Sequence, residues 1–212
     1  MRTVVKPAPV VLATLVLSAT VVVGVSSASQ RSPVRATAAS APSPPATVTA
    51  RELSAPRRGP DRPGTIVGSR TLGVRVFPNA RHGFALANVN DGQYPAATAS
   101  GGAKWRIDGP VLHVNAAQAP LVVTQVGAAA PATYFAWAGP GGGNAVDVTT
   151  DAGKHWRQAL LPGVPLAVVH SGQLSAFVQV PTTSSATPKA EIWVYVSKDG
   201  GRHWHYTNRF IG

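Results

Sequence analysis

The chain has no cysteine, so neither a disulfide framework nor a lipid-modified cysteine is open to it, and no cysteine can act as a nucleophile. Stability must come from packing. Acids are scarce as well: 8 Asp and Glu stand against 19 Lys and Arg, a net charge of +11. From Gly64 onward the only glutamate is Glu191, at the start of an apolar stretch, whereas glycoside hydrolysis needs two suitably placed carboxylates. No Ser-His-Asp order and no helix-opening phosphate loop is visible. The glycine-rich run Gly139 to Asn144 joins two strand-like segments and reads as a hairpin loop. Helical periodicity never lasts beyond a turn or two. Counted from Gly64, 11 basic residues against 6 acids leave only +5, scattered and without an aromatic-and-basic motif, so no nucleic-acid partner is expected.

What is present begins with a targeting pattern. Arg2 and Lys6 precede Val10 to Val25, a run without charge, and Ser26-Ser27-Ala28 offers small residues for cleavage. Residues 1–28 are read as a signal peptide and the protein as secreted, by the general route because no arginine pair precedes the run. The competing reading is a retained anchor, but 16 apolar residues fall just short of a span, which takes ~17–25. No stable membrane span is expected after cleavage. Residues 29–63 are rich in Pro, Ala, Ser and Arg and poor in large apolar side chains, the composition of a disordered linker. Within it only Thr47 to Ala50 resembles a strand fragment. Its arginines supply solubility, or contact with acidic polymers or membrane surfaces.

Gly64 to Gly212 suffices for one domain. Short β-type runs fill it, at 71–77, 83–89, 121–126, 133–138, 144–150, 165–170, 174–180 and 191–197, with Gly, Pro, Asn or Asp between nearly all of them. In the last, both alternating faces are apolar, which predicts a strand buried on both sides. One octapeptide recurs: TASGGAKW (98–105), TTDAGKHW (149–156) and SKDGGRHW (197–204). Trp105, Trp156 and Trp204 lie 51 and 48 residues apart, a period that marks a repeated supersecondary unit. Each unit divides into four strand-like pieces, the size of one β-propeller blade. The repeats span about 70–112, 120–162 and 164–212.

The octapeptide has a mechanical reading. Thr98, Thr149 and Ser197 end a strand, where a hydroxyl can bond nearby backbone. Asp151 and Asp199 can accept backbone N–H bonds in the turn, and Ser100 stands at their position in the first copy. Gly102, Gly153 and Gly201 can take positive φ, and each tryptophan opens the returning strand and covers the hairpin. The pattern resembles the Asp-box, or BNR repeat, of sialidases, sortilin-type receptors and photosystem II assembly factors. Two copies match fully and the first departs at Ser100. The resemblance implies an all-β, incomplete β-propeller of three four-stranded antiparallel blades, with structural roles for Asp151 and Asp199. Ring closure takes roughly 4 to 8 blades, so exposed edges are expected, which a second copy in a homodimer would cover.

Catalytic and metal residues are not assigned. The Arg-Ile-Pro motif of sialidases is absent, and Arg106-Ile107-Asp108 is a loose echo of it. His203 and His205 share a strand face at metal-compatible spacing, yet no carboxylate beyond the committed Asp199 joins them. The expected function is a secreted non-catalytic binding or scaffold protein. It needs no cofactor and presents loops at 88–95, 139–144 and 181–188 to a protein or glycan. The alternative is a degenerate sialidase-like glycoside hydrolase.

Overall fold

The computed structural model describes residues 43–89, 92–112, 124–181 and 190–211. The signal reading, the linker before residue 43, and the tips of the expected loops at 90–91 and 182–188 lie outside them. Fifteen strands follow in chain order: β1 (Thr47–Thr49), β2 (Arg51–Leu53), β3 (Ile66–Val67), β4 (Leu72–Val76), β5 (Gly83–Val89), β6 (Gly92–Thr98), β7 (Trp105–Ile107), β8 (Gln125–Ala130), β9 (Thr133–Trp137), β10 (Ala145–Thr149), β11 (Trp156–Leu160), β12 (Val164–His170), β13 (Leu174–Pro181), β14 (Ala190–Ser197) and β15 (His203–Ile211). Among the described residues there is no α-helix, and no helix long and apolar enough to cross a membrane.

The strands make three open antiparallel sheets, ordered β3-β7-β6-β5-β4, β2-β11-β10-β9-β8 and β1-β15-β14-β13-β12. Each contains four consecutive strands that end in the strand opened by an octapeptide tryptophan. The expectation of four strands per sheet is corrected to five. The fifth comes from 47–67, which crosses the three sheets in reverse order: β1 on the third, β2 on the second, β3 on the first.

The linker reading is corrected for the same segment. Thr47 to Thr49 pairs with His205 to His203, Arg51 to Leu53 with Gln158 to Trp156, and Ile66 to Val67 with Arg106 to Trp105. The bonds at Ala50 N to Arg202 O (2.8 Å) and Tyr206 N to Ala46 O (3.0 Å) extend the first of these pairings. A strand that caps an edge gains its stability from backbone bonds and needs few apolar side chains, so its composition mimics disorder. This strap still sends Val48, Ala50, Leu53 and Val67 into the core.

The second sheet is the middle layer. Phe135, Trp137, Val146, Val148 and Ala159 pack from one face against Val168, Ala176, Val178, Trp193, Tyr195 and Trp204 of the third sheet. From its other face Tyr134, Ala136 and Trp156 meet Phe84 and Leu86 of the first. All five residues of β10 are therefore buried. On β14, Trp193 and Tyr195 are buried on one face, and on the other Val196 is buried but Ile192 and Val194 only partly, so the expectation of a strand buried on both sides holds at its end and is corrected along the rest. Among the described residues the third sheet is an outer layer, and no sheet stacks on the Ile192 and Val194 face of β14. The expected strand at 121–126 is displaced to Gln125–Ala130, with 121–123 outside the described residues.

Candidate functional site

The three octapeptides form turns that use their own polar atoms. In the second, Thr149 Oγ1 donates to Asp151 Oδ1 (2.9 Å) and accepts from Gly153 N (3.0 Å), while Asp151 Oδ1 accepts from His155 N (3.0 Å). The third repeats this: Ser197 Oγ donates to Asp199 Oδ1 (2.9 Å), Gly201 N donates to Ser197 Oγ (2.9 Å), and His203 N to Asp199 Oδ1 (3.0 Å). In the first, Gly102 N donates to Thr98 Oγ1 (3.2 Å) and Lys104 N to Ser100 Oγ (3.0 Å). The serine hydroxyl thus takes over the acceptor role of the aspartate.

The histidines are tied in as well. His155 Nδ1 lies 2.6 Å from Asp151 Oδ2 and His203 Nδ1 2.6 Å from Asp199 Oδ2. Partial burial raises the Asp199 carboxyl, but the His203 backbone N–H, the His203 ring and the Ser197 hydroxyl outweigh it and hold it at about 2. The same balance of groups lowers Asp151. Ionised carboxylates committed to N–H donors act as caps for the turn.

Each tryptophan packs against the preceding repeat where one exists. Trp156 is fully buried, stacks obliquely on Phe84 at 5.6 Å, and donates Nε1–H to Asp108 O at 3.1 Å. Trp204 is fully buried between the second and third sheets. Trp105, with no repeat before it, meets Phe77 edge-on at 5.8 Å. Gly153 has φ +84°, and a Cβ there would collide with the carbonyl and carboxylate of Asp108. The second turn is thereby docked on the end of the first repeat.

Of the residues weighed for hydrolysis, Arg106 is exposed and donates through Nη1 to Gly64 O (2.7 Å), a bond to the strap. Asp108 is partly buried, and burial followed by the nearby Asp151 charge pushes its carboxyl up to about 7. His205 Nδ1 bonds Thr47 Oγ1 at 3.1 Å. Among the described residues no group of three or more His, Asp or Glu comes together as a metal site would require. Of the expected loops, 139–144 links β9 to β10, with Gly139 and Gly141 at φ +72° and +79°. Residues 88–89 and 92–95 belong to the facing strands of the β5–β6 hairpin.

One ionisable residue escaped the sequence reading. Asp147, central in β10, is completely buried, and neither carboxylate oxygen has a hydrogen-bond partner. Its register neighbour Gln158 accepts from Arg51 (Nη2 to Oε1, 2.6 Å). The Gln158 amide nitrogen is itself unbonded, so it acts on Asp147 electrostatically, without an aligned hydrogen bond. Burial raises the carboxyl to about 7 against the pull of Gln158 and Arg51. Only the charge inside the run NAVDVTT hinted at it.

The sign of the pH effect follows. Between the unfolded value of about 3.9 and the folded value of about 7, the folded chain keeps a proton that the unfolded chain releases. Stability therefore falls as pH rises through that window and levels off above it. Asp147→Asn is expected to gain about 1–3 kcal/mol on the parent between pH 5 and pH 8 in urea unfolding. Asp108 contributes equally to both chains, so the difference isolates Asp147. A variant that tracks the parent at both pH values would show the burial penalty to be absent.

No family model matches this chain, nor does any curated protein or any solved structure.

Proposed function

We propose that the chain is a secreted, non-catalytic binding or scaffold protein built from Asp-box repeats, an incomplete three-bladed β-propeller that presents its loops to a protein or glycan. The observation that carries this reading is the commitment of the octapeptide side chains to their own turns. A carboxylate already occupied by backbone N–H groups and a histidine ring is poorly placed for acid–base work on a substrate. What remains for recognition is the loops, and the hairpin at 139–144 is the best described of them. Three sheets of like topology around blade-sized repeats favour the propeller reading, and the first strands β4, β8 and β12 run side by side along one border.

A degenerate sialidase-like hydrolase is the second reading, and Asp108 favours it: a carboxyl raised to about 7 beside Asp151 is the kind of pair that acid catalysis uses. The Arg106 bond to Gly64 O speaks against it, since that guanidinium is already engaged. A glycan array together with fluorogenic sialosides separates the two. The binding reading expects saturable retention on a glycan or partner protein that is lost when 139–144 is replaced by Gly-Ser, with no turnover. Turnover lost in Asp108→Asn but kept in Ser100→Asp would establish the hydrolase instead.

A further inference from the structure

Between the strap and the third octapeptide turn lies a cleft of about 360 Å³, lined by Thr49, Ala50, Glu52, Arg157, Arg202 and His203. That volume falls at the small end of ligand pockets, which run to roughly 300–1,000 Å³. Arg157 and Arg202 outnumber Glu52 among its charged residues.

The three repeats supply an internal comparison. The residue after each octapeptide tryptophan is Arg106, Arg157 or His205, and each opposes the strap: Ile66, Glu52 and Thr47 respectively. Arg106 donates to a strap carbonyl, Gly64 O, and His205 bonds a strap hydroxyl, Thr47 Oγ1. Arg157 breaks the pattern. Its Nη1 is buried and has no hydrogen-bond partner, and it forms no ion pair with Glu52 although the register sets them opposite.

A guanidinium N–H withdrawn from water without an acceptor is costly, and an oxyanion is the acceptor that its planar fork fits best. Arg202 adds a second fork, held only by a 3.5 Å bond from Nη1 to Asp199 O. His203, fixed through Nδ1 by Asp199, keeps Nε2 for a ligand, and Thr49 brings a hydroxyl. We propose that this cleft, on the outer edge of the second and third sheets, binds an oxyanion, with Arg157 as the principal ligand and Arg202, His203 and Thr49 in support. The group recognised is a carboxylate, sulfate or phosphate, and the site does not depend on the loops assigned to partner binding.

The test is calorimetry of the whole chain at low ionic strength with inorganic phosphate, sulfate and glucuronate as separate probes, whose relative affinities identify the preferred group. At least one is expected to saturate. Arg157→Gln should weaken it about tenfold or more, the loss of one charge-assisted contact. Arg202→Gln, which changes an exposed side chain and keeps the backbone carbonyl that bonds Ala50 N, should also weaken it, and Glu52→Gln should tighten it. Arg75→Gln on β4 should leave affinity unchanged, and so should replacing 139–144. The proposal is overturned if no probe saturates. It is equally overturned if Arg75→Gln weakens binding as much as Arg157→Gln and Arg202→Gln, because diffuse positive charge would then be the whole effect.

Discussion

Replacing Trp156 with alanine is expected to cost about 3–5 kcal/mol of folding stability, out of the 5–15 kcal/mol typical of a domain. The indole is fully buried between the first and second sheets, and it lies so close over Gly109 that a Cβ at that position would overlap the ring. Nothing nearby can collapse into the space, because Phe84 already stacks on Tyr134 at 4.9 Å and Asp108 O would lose its donor. Cavity and orphaned carbonyl add to one loss. Gly109→Ala attacks the same joint from the other side and is expected to destabilise by overpacking. Urea unfolding measures both, and a loss below about 1 kcal/mol for Trp156→Ala would remove the staple role assigned to the indole. Trp105→Ala, on the end face against Phe77, should cost less.

A chain that begins at Gly68 is expected to aggregate. Without β1, β2 and β3, the outer edges of β15, β11 and β7 lie bare, and their unpaired N–H and C=O groups are a template for association. Trp204 also loses Val48 beside it, and Trp156 loses Leu53. Light scattering should show large or heterogeneous particles for that chain and a uniform species for one that begins at residue 43. A monodisperse short chain with an unchanged melting curve would make the strap an ornament. The same comparison reads self-association: a dimer of the longer chain is what closure of a six-bladed ring predicts.

Much of this molecule could be read in advance, and the reason is periodicity. Gly83 to Val89, Thr133 to Trp137 and Val164 to His170 are apolar runs bounded by turn residues, and all three are strands. The octapeptides were legible because a tight turn demands a short acceptor, a glycine and a covering ring at set positions, whatever surrounds it. Ser100 departs from the sequence pattern, and only the structure shows its hydroxyl supplying the acceptor that the turn requires. The strap was not legible, because an edge strand is recruited by the backbone of its neighbour and Arg51-Glu52-Leu53 has no alternation to betray it. Asp147 and Arg157 were hidden for a related reason. What distinguishes them is a missing partner, and an absence of bonding exists only once the sheets have stacked.

The pairing of β1 with β15 joins residues 158 apart in the chain, as in the bond between Thr47 and His205. The strap precedes its partners in the chain, and they follow in the order first sheet, second sheet, third. β3 can dock early, β2 later, and β1 only when the last strand exists. Assembly therefore closes on a segment made before the strands it caps. Long-range pairings of this kind are slow to form, so the last step should be the slowest and the most exposed to interception by proteases or by other copies.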